Sequence, residues 1–226
     1  TEIRILDLGK DLFKIYLDYN KHLPITLEKF IRSEINKVGF VPKIIGISNL
    51  FSSSHNASML IAKFVKYKWP EAIVVFGGNH ATNLYMELLK ERNIDYIVRG
   101  EAEISFTQLA GKIINSEKNI DVFGVFDKNK AKKKDAEISP MIQDLDDIPL
   151  PAIDLLDAEF YKKTVGGSMM FSRGCVFKCT FCSSHTVHGR KVRYKSEERI
   201  LAEFARQVND YGFMKIIIED DLFAAR

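Results

Sequence analysis

The chain has three cysteines and no fourth among its 226 residues. An odd, small count without secretory features excludes a disulfide framework. No apolar run is long enough to span a bilayer, and no charged-then-apolar leader is legible at the N-terminus. A net charge of +3 is too small to argue for nucleic acid or an anionic membrane surface. Internal repeats and low-complexity tracts are missing. So is an initiating methionine: the chain starts at Thr1 and stops soon after a strand-like segment, so we expect a piece of a longer protein. What remains, 46% hydrophobic and 28% charged, is an ordinary soluble globular composition with room for one large domain or two modest ones.

All three cysteines fall in Arg173-Gly174-Cys175-Val176-Phe177-Lys178-Cys179-Thr180-Phe181-Cys182, spaced C-x3-C-x2-C. A closed iron–sulfur or structural zinc site uses four protein ligands, so three leave one metal position open. Gly174 permits an awkward backbone just before the first ligand, and Arg173 and Lys178 favour the thiolate forms. A zinc site completed by His185 is the alternative at this point.

Short β-branched runs alternate with helical patterns through the first half, which predicts a parallel sheet with crossover helices. Glu2–Leu8, Lys43–Ser48, Ala72–Phe76 and Tyr96–Val98 are expected strands, and Val122–Phe126 an edge-like fifth. Helices are expected over about 26–38, from Ala57 until Pro70, around Leu84–Leu89, and across Phe106–Ile114. The lysines between Lys128 and Lys134 form a solvated turn, and the proline-rich, acidic stretch from Ser139 to Pro151 marks a crossing between domains. Met169–Phe171 then enters the cysteine loop as a strand. Ser196 is an expected N-cap, Ile200, Leu201, Phe204 and Val208 the buried face of its helix, and Gly212 its C-cap. Lys215–Ile218 is a last strand, ending in Glu219, Asp220 and Asp221.

The cysteine loop resembles the cluster-binding loop of the radical S-adenosylmethionine (radical SAM) enzymes. The resemblance implies a 4Fe-4S cube held by Cys175, Cys179 and Cys182, with S-adenosylmethionine chelating the free iron. It also implies Phe181 near the adenine, and Glu219 and Asp220 where the family receives the methionyl ammonium. Two isoleucines stand where that motif has glycines, so the match there is positional. A reducible cluster and free cysteines point to the cytoplasm, with a reductant such as flavodoxin or ferredoxin and a small-molecule substrate as partners.

Ser48-Asn49-Leu50 and Gly77-Gly78 are separated by positions 51 to 76. That pattern resembles the cobalamin-binding domain of methionine synthase and cobalamin-dependent mutases. In a doubly wound sheet the loops after the strands line the ligand crevice, so Ser48, Leu50, Gly77, Gly78, His80, Gly100 and Glu101 are implied cobalamin contacts. The mutase motif D-x-H-x-x-G is broken: Asp7-Leu8-Gly9 puts Gly9 in the histidine's place, and His22 does not restore it. Cobalamin is therefore expected without a protein histidine on cobalt.

Together the parts resemble a cobalamin-binding domain followed by a radical SAM domain. The expected fold class is α/β: a flavodoxin/Rossmann-like parallel-sheet domain at 1–127, a linker at 128–165, and the first strands of a radical SAM partial (β/α) barrel at 166–226. The implied reaction is cobalamin-dependent methyl transfer to an unactivated carbon by way of a 5′-deoxyadenosyl radical. Ring closure or rearrangement in the same family is one alternative. A non-catalytic zinc module or corrinoid carrier is the alternative from other classes.

Overall fold

The computed structural model describes residues 2–19, 23–132 and 137–224. His22 and the lysines Lys133 and Lys134 therefore lie outside the described residues. The chain divides into two compact units, Leu6–Pro140 and Met141–Arg226 together with Thr1–Ile5. The expected linker is thus shared between the units, with Ser139 tied to the first by a hydrogen bond from its N–H to Arg99 O at 2.9 Å. Among the described residues no helix is long and apolar enough to cross a membrane.

In the first unit, helices α1 (Leu8–Asp18) and α2 (Leu27–Asn36) precede strand β1 (Ile44–Ser48). Then come α3 (His55–Lys68), β2 (Ile73–Gly77), α4 (Asn79–Asn83), α5 (Tyr85–Leu88), β3 (Tyr96–Val98), α6 (Glu103–Ile114) and β4 (Val125–Phe126). The sheet runs β1-β2-β3-β4, parallel across the first three strands and antiparallel at the last. Side chains alternate across it. Val74 and Phe76 join Phe30, Ile31, Phe64 and Leu88 in one core. Val75 joins Val98, Leu109 and Ile113 in a second core. The sheet is therefore covered on both faces, as continuous apolar strands require.

Two expectations fail here. Glu2–Leu8 is not a strand: Asp7 instead caps α1, its carboxylate accepting the Lys10 N–H at 3.1 Å, and Ile3 and Ile5 are exposed. The period-2 pattern has no ladder partner among the described residues, and a strand without one leaves its backbone groups unpaired. The expected helix around Leu84–Leu89 begins earlier and breaks at Leu84 into α4 and α5.

The second unit contains α7 (Ala158–Lys163), β5 (Gly167–Met169), β6 (Ser172–Arg173), α8 (His185–His188), β7 (Arg193–Tyr194), α9 (Glu197–Asn209) and β8 (Ile216–Ile218). β5 and β8 pair in parallel, Gly167 opposite Ile216 and Met169 opposite Ile218, as successive strands of a (β/α) barrel do. Ser196 caps α9 by accepting the Arg199 N–H at 3.0 Å. Gly212 follows the helix with φ +67°.

The expected inner face of α9 is a correction. Glu203 and Gln207 are buried, whereas Leu201 and Phe204 are 66% and 47% exposed. Apart from the Gln207 side-chain oxygen, which is buried without a partner, the inward polar groups are satisfied, and this offsets the cost of burying them. Both Glu203 oxygens accept from Lys195 Nζ, at 2.8 and 2.6 Å, and Arg199 Nε adds a contact at 3.1 Å. Gln207 Nε2 donates to Ser168 O at 2.7 Å.

Candidate functional site

The cysteine loop opens at the C-terminal end of β5. β6 and β7 close its root as an antiparallel pair, Ser172 opposite Tyr194 and Arg173 opposite Arg193. Gly174 follows at φ +103°, and a Cβ there would lie 2.4 Å from Lys191 O, so only glycine fits. Cys175 N–H then donates to Gly189 O at 3.3 Å. Further out, Cys182 N–H donates to Cys179 O at 3.2 Å, and Arg190 Nη1 donates to Phe177 O at 2.5 Å.

Cys175 is half-buried, Cys179 and Cys182 are exposed, and Phe181 is 91% exposed. Among the described residues, no three His, Cys, Asp or Glu side chains gather closely enough to hold a metal. Neither the three-cysteine site nor the zinc alternative through His185 is therefore assembled in this conformation. Thiolates brought together without a cation repel one another, and metal binding commonly supplies the energy that gathers its own ligands. The donor set itself suits an iron–sulfur cluster: three thiols on one exposed loop, with no fourth cysteine in the sequence.

β8 ends beside the loop root. Glu219 N–H continues the ladder by donating to Met169 O at 2.8 Å. Its carboxylate is exposed and makes no hydrogen bond or ion pair among the described residues. Asp220 behaves differently. Its Oδ1 accepts the Phe171 N–H and its Oδ2 accepts the Ser172 hydroxyl, both at 2.7 Å.

In the first unit, the loops after β1 and β2 meet at Asn49. Its N–H donates to Gly77 O at 2.8 Å, and its carbonyl accepts from His80 N at 3.2 Å and Ala81 N at 3.4 Å. Gly78, at φ +97°, lies so close that a Cβ would stand 2.7 Å from Asn49 O. Gly77, by contrast, has open space where a Cβ would go, and Ser48 and Leu50 are exposed. The Asn49 side chain is fully buried with both amide atoms unpartnered. An open glycine beside an exposed hydroxyl suits a bulky ligand approaching the backbone.

His80 is buried on α4. Its Nδ1 lies 3.0 Å from Ser52 Oγ and its Nε2 lies 3.1 Å from His55 Nδ1. Burial, and then the neighbouring His55, hold its pKa below the ordinary imidazole value. Gly100 and Glu101 turn inward instead of lining an open crevice. Gly100 N–H donates to Thr82 Oγ1 at 3.0 Å, a Cβ on it would lie 2.6 Å from Ile138, and Glu101 is buried. A surface concavity of about 430 Å³ along α3 and residues 91–94 contains none of these groups. Sequence reasoning missed Asn49, Ser52 and the pairing of His55 with His80. The serine and histidine types were visible, but nothing in their spacing marks a contact between residues 25 apart.

A family model described as B12 binding domain matches residues 12–110. An uncharacterized methyltransferase of Pyrococcus horikoshii is 35% identical over 84% of this chain and 42% of its own length. The cytidylyl-2-hydroxyethylphosphonate methyltransferase of Streptomyces wedmorensis is 27% identical over 97% of this chain and 48% of its own. The solved structure of a radical S-adenosylmethionine methyltransferase, TsrM from Kitasatospora setae, with cobalamin and a [4Fe-4S] cluster bound, superposes with a TM-score of 0.64. It covers 97% of this chain and 45% of that one at 13% identity, a likeness of fold. The chain spans less than half the length of each.

Proposed function

Since the chain belongs to the family that joins a B12-binding domain to a radical SAM domain, we propose that the protein is a radical SAM enzyme transferring a methyl group from cobalamin to an unactivated carbon. The observation that carries this reading is the loop of three cysteines, with no fourth in the chain, rooted at the C-terminal end of a parallel strand pair. Active sites of parallel barrels sit at that end.

When bound, a 4Fe-4S cluster supplies the electron that cleaves S-adenosylmethionine to methionine and a 5′-deoxyadenosyl radical, and cobalamin supplies the methyl group. The protein's part is binding and orientation. Cys175, Cys179 and Cys182 would hold the cluster, and with no fourth cysteine in the sequence the methionyl group would complete its ligand set. The exposed Glu219 carboxylate is suited to a methionyl ammonium, and the exposed Phe181 ring to an adenine face. Gly77 and Ser48 offer the corrinoid an open backbone and a hydroxyl. No histidine stands at position 9 to ligate cobalt from below. A small-molecule substrate and a one-electron reductant such as flavodoxin or ferredoxin complete the set of partners.

The test is anaerobic reconstitution of the full-length protein with iron and sulfide, then assay for reductive cleavage of S-adenosylmethionine. Stoichiometric 5′-deoxyadenosine and a spectroscopic shift on hydroxocobalamin titration are expected. A loaded cluster that yields no 5′-deoxyadenosine overturns the reading.

A further inference from the structure

We propose that Asp220 is a positioning residue that fixes the root of the cysteine loop, and is not a ligand for the methionyl ammonium. The inference rests on the proposed function only for the purpose of the loop. The geometry stands without it. Two neighbouring acids at the end of a strand invite the assumption that they act together, yet successive strand residues point to opposite sides. Glu219 is exposed and unengaged among the described residues. Asp220 is partly buried and has both oxygens in use.

The groups Asp220 holds are the informative part. Phe171 and Ser172 carry the chain from β5 into β6, and Cys175 lies three residues further on. The Phe171 N–H falls between the two ladders, where no strand partner takes it, and the Ser172 hydroxyl is buried. A carboxylate accepting from both satisfies two groups whose isolation would be costly. Its charge makes both bonds stronger than neutral ones. The contact bridges 48 and 49 residues of sequence, so it ties the exit of β5 directly to the end of β8. Every ligand of the loop is presented from that root. Binding sites need such support to hold their ligands within a fraction of an ångström.

The experiment uses the full-length protein with Asp220→Ala, Ser172→Ala and Glu219→Gln. In the metal-free form, amide hydrogen exchange at Phe171 and Cys175 should quicken by about tenfold or more in Asp220→Ala, and by less in Ser172→Ala, which keeps the carboxylate. Glu219→Gln should leave both amides protected. On anaerobic reconstitution without S-adenosylmethionine, iron, sulfide and cluster absorbance per chain should fall in Asp220→Ala and Ser172→Ala but not in Glu219→Gln. The loaded fraction of Asp220→Ala should bind S-adenosylmethionine with wild-type affinity, and Asp220→Asn, which keeps an acceptor for Phe171, should restore part of the loading. Unchanged exchange at Phe171 in Asp220→Ala overturns the inference, as does full loading with lost S-adenosylmethionine affinity in that variant. If Asp220→Ala does not fold, the milder Asp220→Asn decides: it removes the charge that strengthens the bond, so unchanged exchange at Phe171 there overturns the inference. Failure of the wild type to take up a cluster would sink the proposed function, while the exchange data would judge Asp220 on their own.

Discussion

Burial and a second imidazole act on His80 in the same direction, both disfavouring its protonated form. The folded state thus binds a proton less readily than the unfolded chain, whose histidine titrates near the ordinary imidazole value of 6.5. Stability of the first unit is then fully present above that pH and is lost as pH falls through it toward the lower folded pKa. Chemical denaturation between about pH 8 and 5.5 should show this loss, and His80→Gln should flatten the dependence. A variant with an unchanged slope would remove His80 from the explanation. Asn49 makes the complementary point. Its sequence context marks only the variable position between Ser48 and Leu50, yet the fold buries it completely with its amide unpartnered.

At the scale of elements, α9 shows a helix whose orientation is set by ion pairing over apolar periodicity. Glu203 is 4% exposed and paired with Lys195 and Arg199, which are themselves largely buried. Removing one partner of such a group leaves uncompensated charge. Glu203→Ala should therefore cost about 3 kcal/mol, whereas Leu201→Ala should change stability by only about 0.5 kcal/mol or less. Denaturant titration of both variants separates them, and equal losses would show that the apolar face is packed after all. The helix start depends on a further charge. Asp146 accepts the Ser196 N–H at 3.0 Å, and hydrogen bonds from the Ser196 hydroxyl and N–H hold its carboxyl below the usual carboxylate range. Arg199 donates from the same helix to the carbonyls of Asp146 and Ile148. The acidic stretch before Pro149 is thus bound to the end of α9, although its sequence reads as a crossing segment without period.

At the scale of the whole molecule, the two sets of candidate residues fall in separate units. All three cysteines lie beyond Met141, and the B12-type sheet lies within Leu6–Pro140. Each unit has its own buried residues, so changes confined to one should add little to the other. Replacing all three cysteines by alanine in the full-length protein should abolish iron uptake and leave the hydroxocobalamin titration within about twofold of wild type. A large drop in corrinoid affinity would contradict this independence.

The amino-acid order alone determined the features that depend on neighbours in sequence. These are the C-x3-C-x2-C loop, the cap at Ser196, the apolar runs of β1, β2 and β8, and the glycines at 78, 174 and 212 with their left-handed backbones. Tertiary structure decided whatever needs a distant partner. It gave Asp220 to the loop root and left Glu219 exposed, turned Gly100 and Glu101 inward, set β4 antiparallel, and put Glu203 instead of Leu201 on the inner face of α9. Periodicity and turn chemistry are local. Which carboxylate meets an orphaned N–H is settled only when segments about fifty residues apart come together, and which face of α9 turns inward only when Gln207 reaches Ser168 of β5, 39 residues away.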